Sequence, residues 1–128
     1  KIDKVNPSNE EQDLPIPNYT IDTLDHISEK YKNYEFSLII GQDNFEKFNN
    51  WKSHETIIEN YKILIYPRLG SGKKPEIGKL KNIIHLEGAT VDVSSSEVRK
   101  KIKNKNLVKN YLNEDVLNFI VKNNLYEK

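Results

Sequence analysis

Cysteine is absent from the 128 residues, which excludes a disulfide framework and thiolate metal sites. No apolar run approaches the roughly 18 residues that a membrane-spanning helix needs. Neither charge sign is in excess: 20 Lys and Arg face 19 Asp and Glu, so a net charge of +1 gives no global field to attract nucleic acid or an anionic membrane. Any ligand must be held by a local site. What remains is a 15.0 kDa chain with 36% hydrophobic residues, the size of one domain over residues 1–128 with a real core. The expectation is a soluble, cytoplasmic protein with no nucleic-acid or membrane partner. Methionine is also absent, and with Lys1 at its start the sequence reads as a fragment of a longer chain.

Charge is near zero in sum but uneven in place. Residues 1–30 carry 3 Lys against 7 Asp and Glu, whereas residues 98–128 carry 8 Lys and Arg against 3 acids. The basic end is a candidate anion site.

Periodicity lays out the elements. Lys1–Val5 alternates polar and apolar residues like a short strand, and a proline-rich loop, 6–17, leads into a helix marked by Ile21, Leu24, Ile27 and Tyr31, with Asn18 or Thr20 placed to cap it. Phe36–Ile40, ending at Gly41, is a short buried strand. Phe45 and Phe48 mark a helical turn, Trp51 a joint, and Ser53 the start of a helix carrying Ile57, Ile58 and Tyr61. Ile63–Tyr66 is a second strand, stopped by Pro67. Leu69–Lys79, rich in Gly, Pro and Lys, is expected to be mobile. Ile83–Leu86 is a third strand. Ser94 and Glu97 match a capping box ahead of Val98 and Ile102, and Asn113 or Glu114 opens a last helix with Val116, Leu117, Ile120 and Val121. Strand alternating with helix predicts an α/β fold, a parallel sheet flanked by helices, because parallel neighbours need crossover connections.

In such sheets ligands bind beyond the carboxyl ends of the strands, which directs attention to 41–43, 67–70 and 93–99. Gly41 lets a ligand approach the backbone closely. Asp43 is an acceptor suited to ribose hydroxyls or a metal, or it is an ordinary helix N-cap. Arg68 follows a strand end and either reaches an anion or faces water. The serine-capped helix presents free N–H groups, with Arg99 one turn in as a forked phosphate donor, although capped helices with a surface arginine are also common. Trp51, the only tryptophan, either stacks on a heteroaromatic ring or packs into the core. Lys100, Lys101, Lys103 and Lys105 read as a solvated face, since no aromatics are interleaved with them.

Other signals fail. Gly70-Ser71-Gly72-Lys73-Lys74 lacks the first glycine of a phosphate loop and has Lys74 where a Ser or Thr would hold magnesium. His26, His54 and His85 show no metal-ligand spacing. No nucleophile, base and orienting acid form a triad.

The run Asn18-Tyr19-Thr20-Ile21-Asp22-Thr23-Leu24, then Ile39-Ile40-Gly41-Gln42-Asp43-Asn44, Trp51, Tyr66-Pro67-Arg68, and Val93-Ser94-Ser95-Ser96-Glu97-Val98-Arg99, resembles bacterial nicotinate-mononucleotide adenylyltransferase in order and spacing. The resemblance extends to Asn124-Leu125-Tyr126. It implies a Rossmann-like nucleotidyltransferase fold and a reaction of ATP with nicotinate mononucleotide that yields deamido-NAD and pyrophosphate, with Mg2+ accompanying ATP. On matching positions it implies that Thr20 and the backbone around Trp51 and Lys52 receive the nicotinate carboxylate, with Trp51 on the pyridine ring and Arg68 lining the substrate site. Gly41 and Asp43 would receive the adenosine ribose, Ser95 and Ser96 the nucleotide and its phosphates, and Arg99 the β and γ phosphates as the catalytic cation. No residue is assigned as a metal ligand.

Ser96 stands where the family usually has Thr, and Leu69 where a proline often follows the arginine. The family's His-x-Gly-His motif, whose histidines contact the ATP phosphates, occurs nowhere in the sequence. The expectation is therefore the carboxyl-terminal part of such an enzyme, its fold incomplete on the N-terminal side, inactive alone, and through exposed apolar surface either associating as a homo-oligomer or poorly stable. Two alternatives stand beside this: a related adenylyltransferase for another phosphorylated acceptor, and a non-catalytic Rossmann-like module that binds a nucleotide or a protein partner.

Overall fold

Three short runs of Ile and Leu between polar residues build the sheet: β1 (Ser37–Gly41), β2 (Lys62–Tyr66) and β3 (Ile83–His85). The computed structural model describes residues 3–70, 81–90, 93–104, 108 and 111–127. Within it the chain divides into two units, Lys1–Thr90 and Val91–Lys128.

In the first unit the strands run parallel in the order β1-β2-β3, with Leu38 opposite Ile63, Ile40 opposite Ile65 and Gly41 opposite Tyr66. The helices are α1 (Thr20–Lys30), α2 (Gln42–Phe45) and α3 (His54–Asn60), with 3-10 turns at Glu10–Asp13 and Phe48–Asn50. The parallel sheet flanked by helices expected from the sequence is what forms. Side chains alternate across a strand, so Ile40, Ile63 and Ile65 share one face. There they bury with Ile21 and Leu24 of α1, Ile57 of α3, Phe48 and Tyr61. Phe48, Ile57, Ile63 and Ile65 are at most 1% exposed, each worth about 1.5–3 kcal/mol of transfer free energy.

The second unit holds α4 (Ser95–Lys103) and α5 (Glu114–Lys122). Both partners of the capping box are in place: the Glu97 N–H donates to Ser94 Oγ at 3.2 Å and the Ser94 N–H to Glu97 Oε2 at 3.0 Å. Asn113 caps α5 by accepting the Asp115 N–H at 2.9 Å. That helix ends with Asn124 in the left-handed region, φ 50°, where the Asn124 N–H donates to Val121 O at 3.2 Å and the Leu125 N–H to Ile120 O at 3.0 Å.

Three local expectations are corrected. Residues 3–5 form no strand; Lys4 has φ 61°, and no neighbouring strand pairs with them. Neither Asn18 nor Thr20 caps α1. Tyr19 holds the cap position without a side-chain bond, and the Asn18 amide instead donates to the carbonyls of Glu11, Leu14 and Pro15 at 3.3, 3.5 and 3.0 Å. Asp43 is not an N-cap either: Gly41 occupies that position and Asp43 lies inside α2. The expected mobile segment 69–79 falls outside the described residues from residue 71 onward, as do part of the rejected phosphate loop and Lys105.

Candidate functional site

The loop before α1 is fastened from several directions, which fixes where the helix starts. Besides the three Asn18 bonds, the Thr23 hydroxyl donates to Glu11 Oε1 at 2.9 Å. Glu10 accepts from Lys30 Nζ at 2.8 and 2.9 Å and from the Tyr31 hydroxyl at 2.7 Å, with His26 Nε2 at 3.3 Å. The Lys30 hydrogen bond, then that of Tyr31, holds the Glu10 carboxyl down at about 2. So tethered, Asn18, Tyr19 and Thr20 form one wall of a cavity of about 280 Å³, and Asn50, Trp51 and Lys52 form the other.

Trp51 packs on the core and also faces open space. Its ring packs on Phe48 at 5.1 Å between centroids, tilted 49°, while the half-buried indole still lines the cavity. Lys52 Nζ lies 3.0 and 3.1 Å from the two carboxylate oxygens of Asp22 and 4.6 Å from the centre of the Tyr19 ring. The structure thus brings Thr20, Trp51 and Lys52 together.

A second convergence sits at the carboxyl ends of β1 and β2. A Cβ placed on Gly41 would meet Asp43 Oδ1 at 2.5 Å, Arg68 Cδ at 2.9 Å and the Tyr66 hydroxyl oxygen at 3.1 Å. Only glycine leaves room for those three groups. Arg68 Nε stands 3.7 Å from Asp43 Oδ1, an ion pair beyond hydrogen-bond length, and that buried oxygen has no hydrogen-bond donor. A buried acceptor left in this state costs about 1–3 kcal/mol. Arg68 is therefore found with Gly41 and Asp43 rather than among the residues lining the Trp51 cavity.

In the second unit, Ser95 and Ser96 open α4 and are exposed, as is Arg99 one turn along. Arg99 Nη2 donates to Ser96 Oγ at 3.4 Å, and its guanidinium carbon lies 6.0 Å from the centre of the Tyr126 ring. The first backbone N–H groups of α4 have no intrahelical acceptor, which with the helix dipole and Arg99 favours an anion, although the Glu97 carboxylate folded over the same end opposes it.

Sequence reasoning missed Tyr66 and Asp22 as members of these sites. Tyr66 becomes visible only through the β1–β2 register, which sets it opposite Gly41. Asp22 is identified only through Lys52, 30 residues away. Among the described residues no helix is long and apolar enough to cross a membrane, and no group of three or more His, Asp or Glu side chains could hold a metal ion.

Comparison with known proteins follows the same lines. A protein of Christiangramia forsetii named a probable nicotinate-nucleotide adenylyltransferase is 42% identical over 125 residues, which is 97% of this chain and 64% of that protein. One of Flavobacterium johnsoniae with the same name is 41% identical over 98% of this chain and 65% of its own length. The resemblance read from the motifs holds across nearly all of the sequence, and the chain spans a little under two thirds of those relatives. Two solved structures of Plasmodium falciparum nicotinic acid mononucleotide adenylyltransferase, complexed with APC and with NaAD, share the fold at TM-scores of 0.72 and 0.74, each 24% identical. They cover 86% of this chain, which covers 59% and 58% of theirs, and the sheet accordingly shares their Rossmann-like fold. Residues 5–101, from the tethered loop into α4, match the cytidylyltransferase-like family, to which the chain belongs.

Proposed function

We propose that the whole protein transfers the adenylyl group of ATP to nicotinate mononucleotide, giving deamido-NAD and pyrophosphate. The observation that carries this reading is the cavity shared by Thr20, Trp51 and Lys52: a hydroxyl, an indole face and a cation at the scale of a pyridine carboxylate. The names of the bacterial relatives and the NaAD complex of the Plasmodium enzyme support it.

The chemistry needs no protein nucleophile. A phosphate oxygen of nicotinate mononucleotide attacks the α-phosphorus of ATP, the α–β bridging bond breaks, and pyrophosphate leaves. Positioning two anions in line and neutralising the charge that develops supply the rate. Trp51 stacks on the pyridine, while Thr20 and the backbone at Trp51 and Lys52 receive its carboxylate. Gly41 admits the adenosine close to the backbone, and Asp43 Oδ1, without a donor of its own, accepts a ribose hydroxyl beside Arg68. Ser95, Ser96 and the start of α4 take nucleotide phosphates, with Arg99 on the β and γ oxygens. Magnesium would accompany ATP as its complex, and no residue of this chain is assigned as its ligand.

The test uses full-length protein, which the present chain, lacking a His-x-Gly-His motif, does not replace; alone it is expected to show no turnover. Supplied with ATP, magnesium and nicotinate mononucleotide, the enzyme releases pyrophosphate, and nicotinamide mononucleotide competes poorly. Trp51→Ala removes ring stacking worth about 1–3 kcal/mol, so KM for nicotinate mononucleotide rises roughly 5- to 150-fold while that for ATP stays within about twofold. Equal losses for both substrates, or preference for the amide, overturn the reading.

A further inference from the structure

Of the six residues lining the cavity, Lys52 alone carries a formal charge, so the electrostatic potential there depends on how far that charge is already neutralised. Its neutraliser lies outside the cavity. Asp22, in the first turn of α1, holds Lys52 Nζ through both carboxylate oxygens from an adjoining groove that also carries Asp25 and Glu29; Lys52 and Tyr19 are the walls common to cavity and groove. The Tyr19 ring, 4.6 Å from Nζ, keeps the lysine at this boundary whether or not Asp22 is charged. Side-chain exposures of 47% and 39% leave the pair largely solvated, so it contributes little to stability, and its charges interact with whatever enters the cavity.

We propose that Asp22, through its ion pair with Lys52, sets how strongly the cavity prefers an acidic pyridine nucleotide over its amide. The proposal rests on the function given above and names a residue that tunes it without touching the acceptor. A bound nicotinate carboxylate competes with Asp22 for the Lys52 ammonium; a nicotinamide has no charge with which to compete. Asp22 therefore attenuates the preference, and the net charge of the pair is the controlling quantity: zero in the native pair, positive in Asp22→Asn, negative in Lys52→Met, and zero again when both are replaced.

The experiment measures kcat/KM for nicotinate and nicotinamide mononucleotides with full-length enzyme and follows their ratio. One unit charge acting over about 6–8 Å at the dielectric of water changes the ratio about two- to threefold. Asp22→Asn is expected to raise it by that factor, Lys52→Met to lower it, and the double variant and Asp22→Glu to lie near the native value. The spread should contract in about 0.5 M salt, where screening reaches only a few ångströms, a response that loss of a merely structural contact does not show. If Asp22→Asn folds poorly, a lowered ratio in Lys52→Met beside a native ratio in Asp22→Glu tests the same ranking. Turnover of nicotinate mononucleotide by the native enzyme with no such ranking, or with a ranking indifferent to salt, overturns this inference alone; no turnover of either nucleotide overturns the function and this with it.

Discussion

Gly41→Ala tests whether the close approach of Asp43, Arg68 and Tyr66 is a working feature of the strand ends. The backbone at Gly41 is extended, φ −73° and ψ 151°, so alanine meets no conformational penalty and the whole effect comes from its methyl group. That methyl would stand 2.5 Å from Asp43 Oδ1 and 2.9 Å from Arg68 Cδ, both atoms of side chains that can swing aside. Overpacking by one carbon costs about 1–3 kcal/mol, the lower end where neighbours yield, and the stiffer unfolded chain returns about 0.4–1 kcal/mol. A net loss of at most about 0.6 kcal/mol follows, read as a slightly lower urea midpoint at unchanged slope.

Function should suffer more than stability. Displacing Asp43 removes the acceptor assigned to the ribose, and a hydrogen bond to a charged group is worth about 1.5–3 kcal/mol, so ATP binding to full-length enzyme should weaken roughly 10- to 150-fold. Adding Asp43→Ala removes the atom struck hardest, and the double variant should regain stability while binding ATP no better. Gly41→Ala with native ATP affinity refutes the reasoning, as does a double variant that restores binding.

Ser94→Ala deletes one half of the capping box and should cost α4 about 0.5–2 kcal/mol, seen as faster hydrogen exchange at the Glu97 and Val98 amides; Ser94→Asp should keep most of the protection. Glu10, held down at about 2 from an ordinary 4.5, binds protons more weakly folded than unfolded, so the stability it lends is present above about pH 4.5 and is lost as pH falls toward 2. Glu10→Gln should flatten that acid limb of the urea midpoint, and an equally steep limb in the variant contradicts the assignment. The chain on its own should associate as its concentration rises, and Ile39→Thr with Ile84→Thr should suppress this in sedimentation measurements, because the two side chains are 62% and 40% exposed on one sheet face.

What was legible in the sequence is what depends on neighbours a few residues apart. Ser94 and Glu97 announce their box because both partners lie within one helical turn, and the Ile21, Leu24, Ile27 spacing marks α1 for the same reason. Asn18 shows the limit of that logic. A residue type suited to capping was given a richer set of acceptors by the loop it closes, three carbonyls that no short window reveals. The Arg68–Asp43 approach requires the strand register, and the Lys52–Asp22 pair requires α1 to lie beside the Trp51 turn. Neither geometry leaves a trace in spacing. The motifs nevertheless lie at the strand ends, since ends of parallel strands collect polar side chains whatever their register.

The strands themselves carry a further argument. Leu38-Ile39-Ile40 and Ile63-Leu64-Ile65 are unbroken apolar runs, the pattern of strands covered on both faces, whereas a sheet with one wet face tolerates polar residues at alternate positions. Register places Ile39, Leu64 and Ile84 in one row, opposite the face that packs on α1 and α3. Ile40 is 6% exposed and its neighbour Ile39 62%. Nothing in the packing of the helical layer calls for isoleucine at 39 or 84, and a threonine there would serve the strand as well. Apolar side chains at these positions fit strands covered on both faces, and Gly41 and Tyr66 continue that same face at the strand ends. The residues proposed to receive ATP therefore stand at the rim of this apolar face.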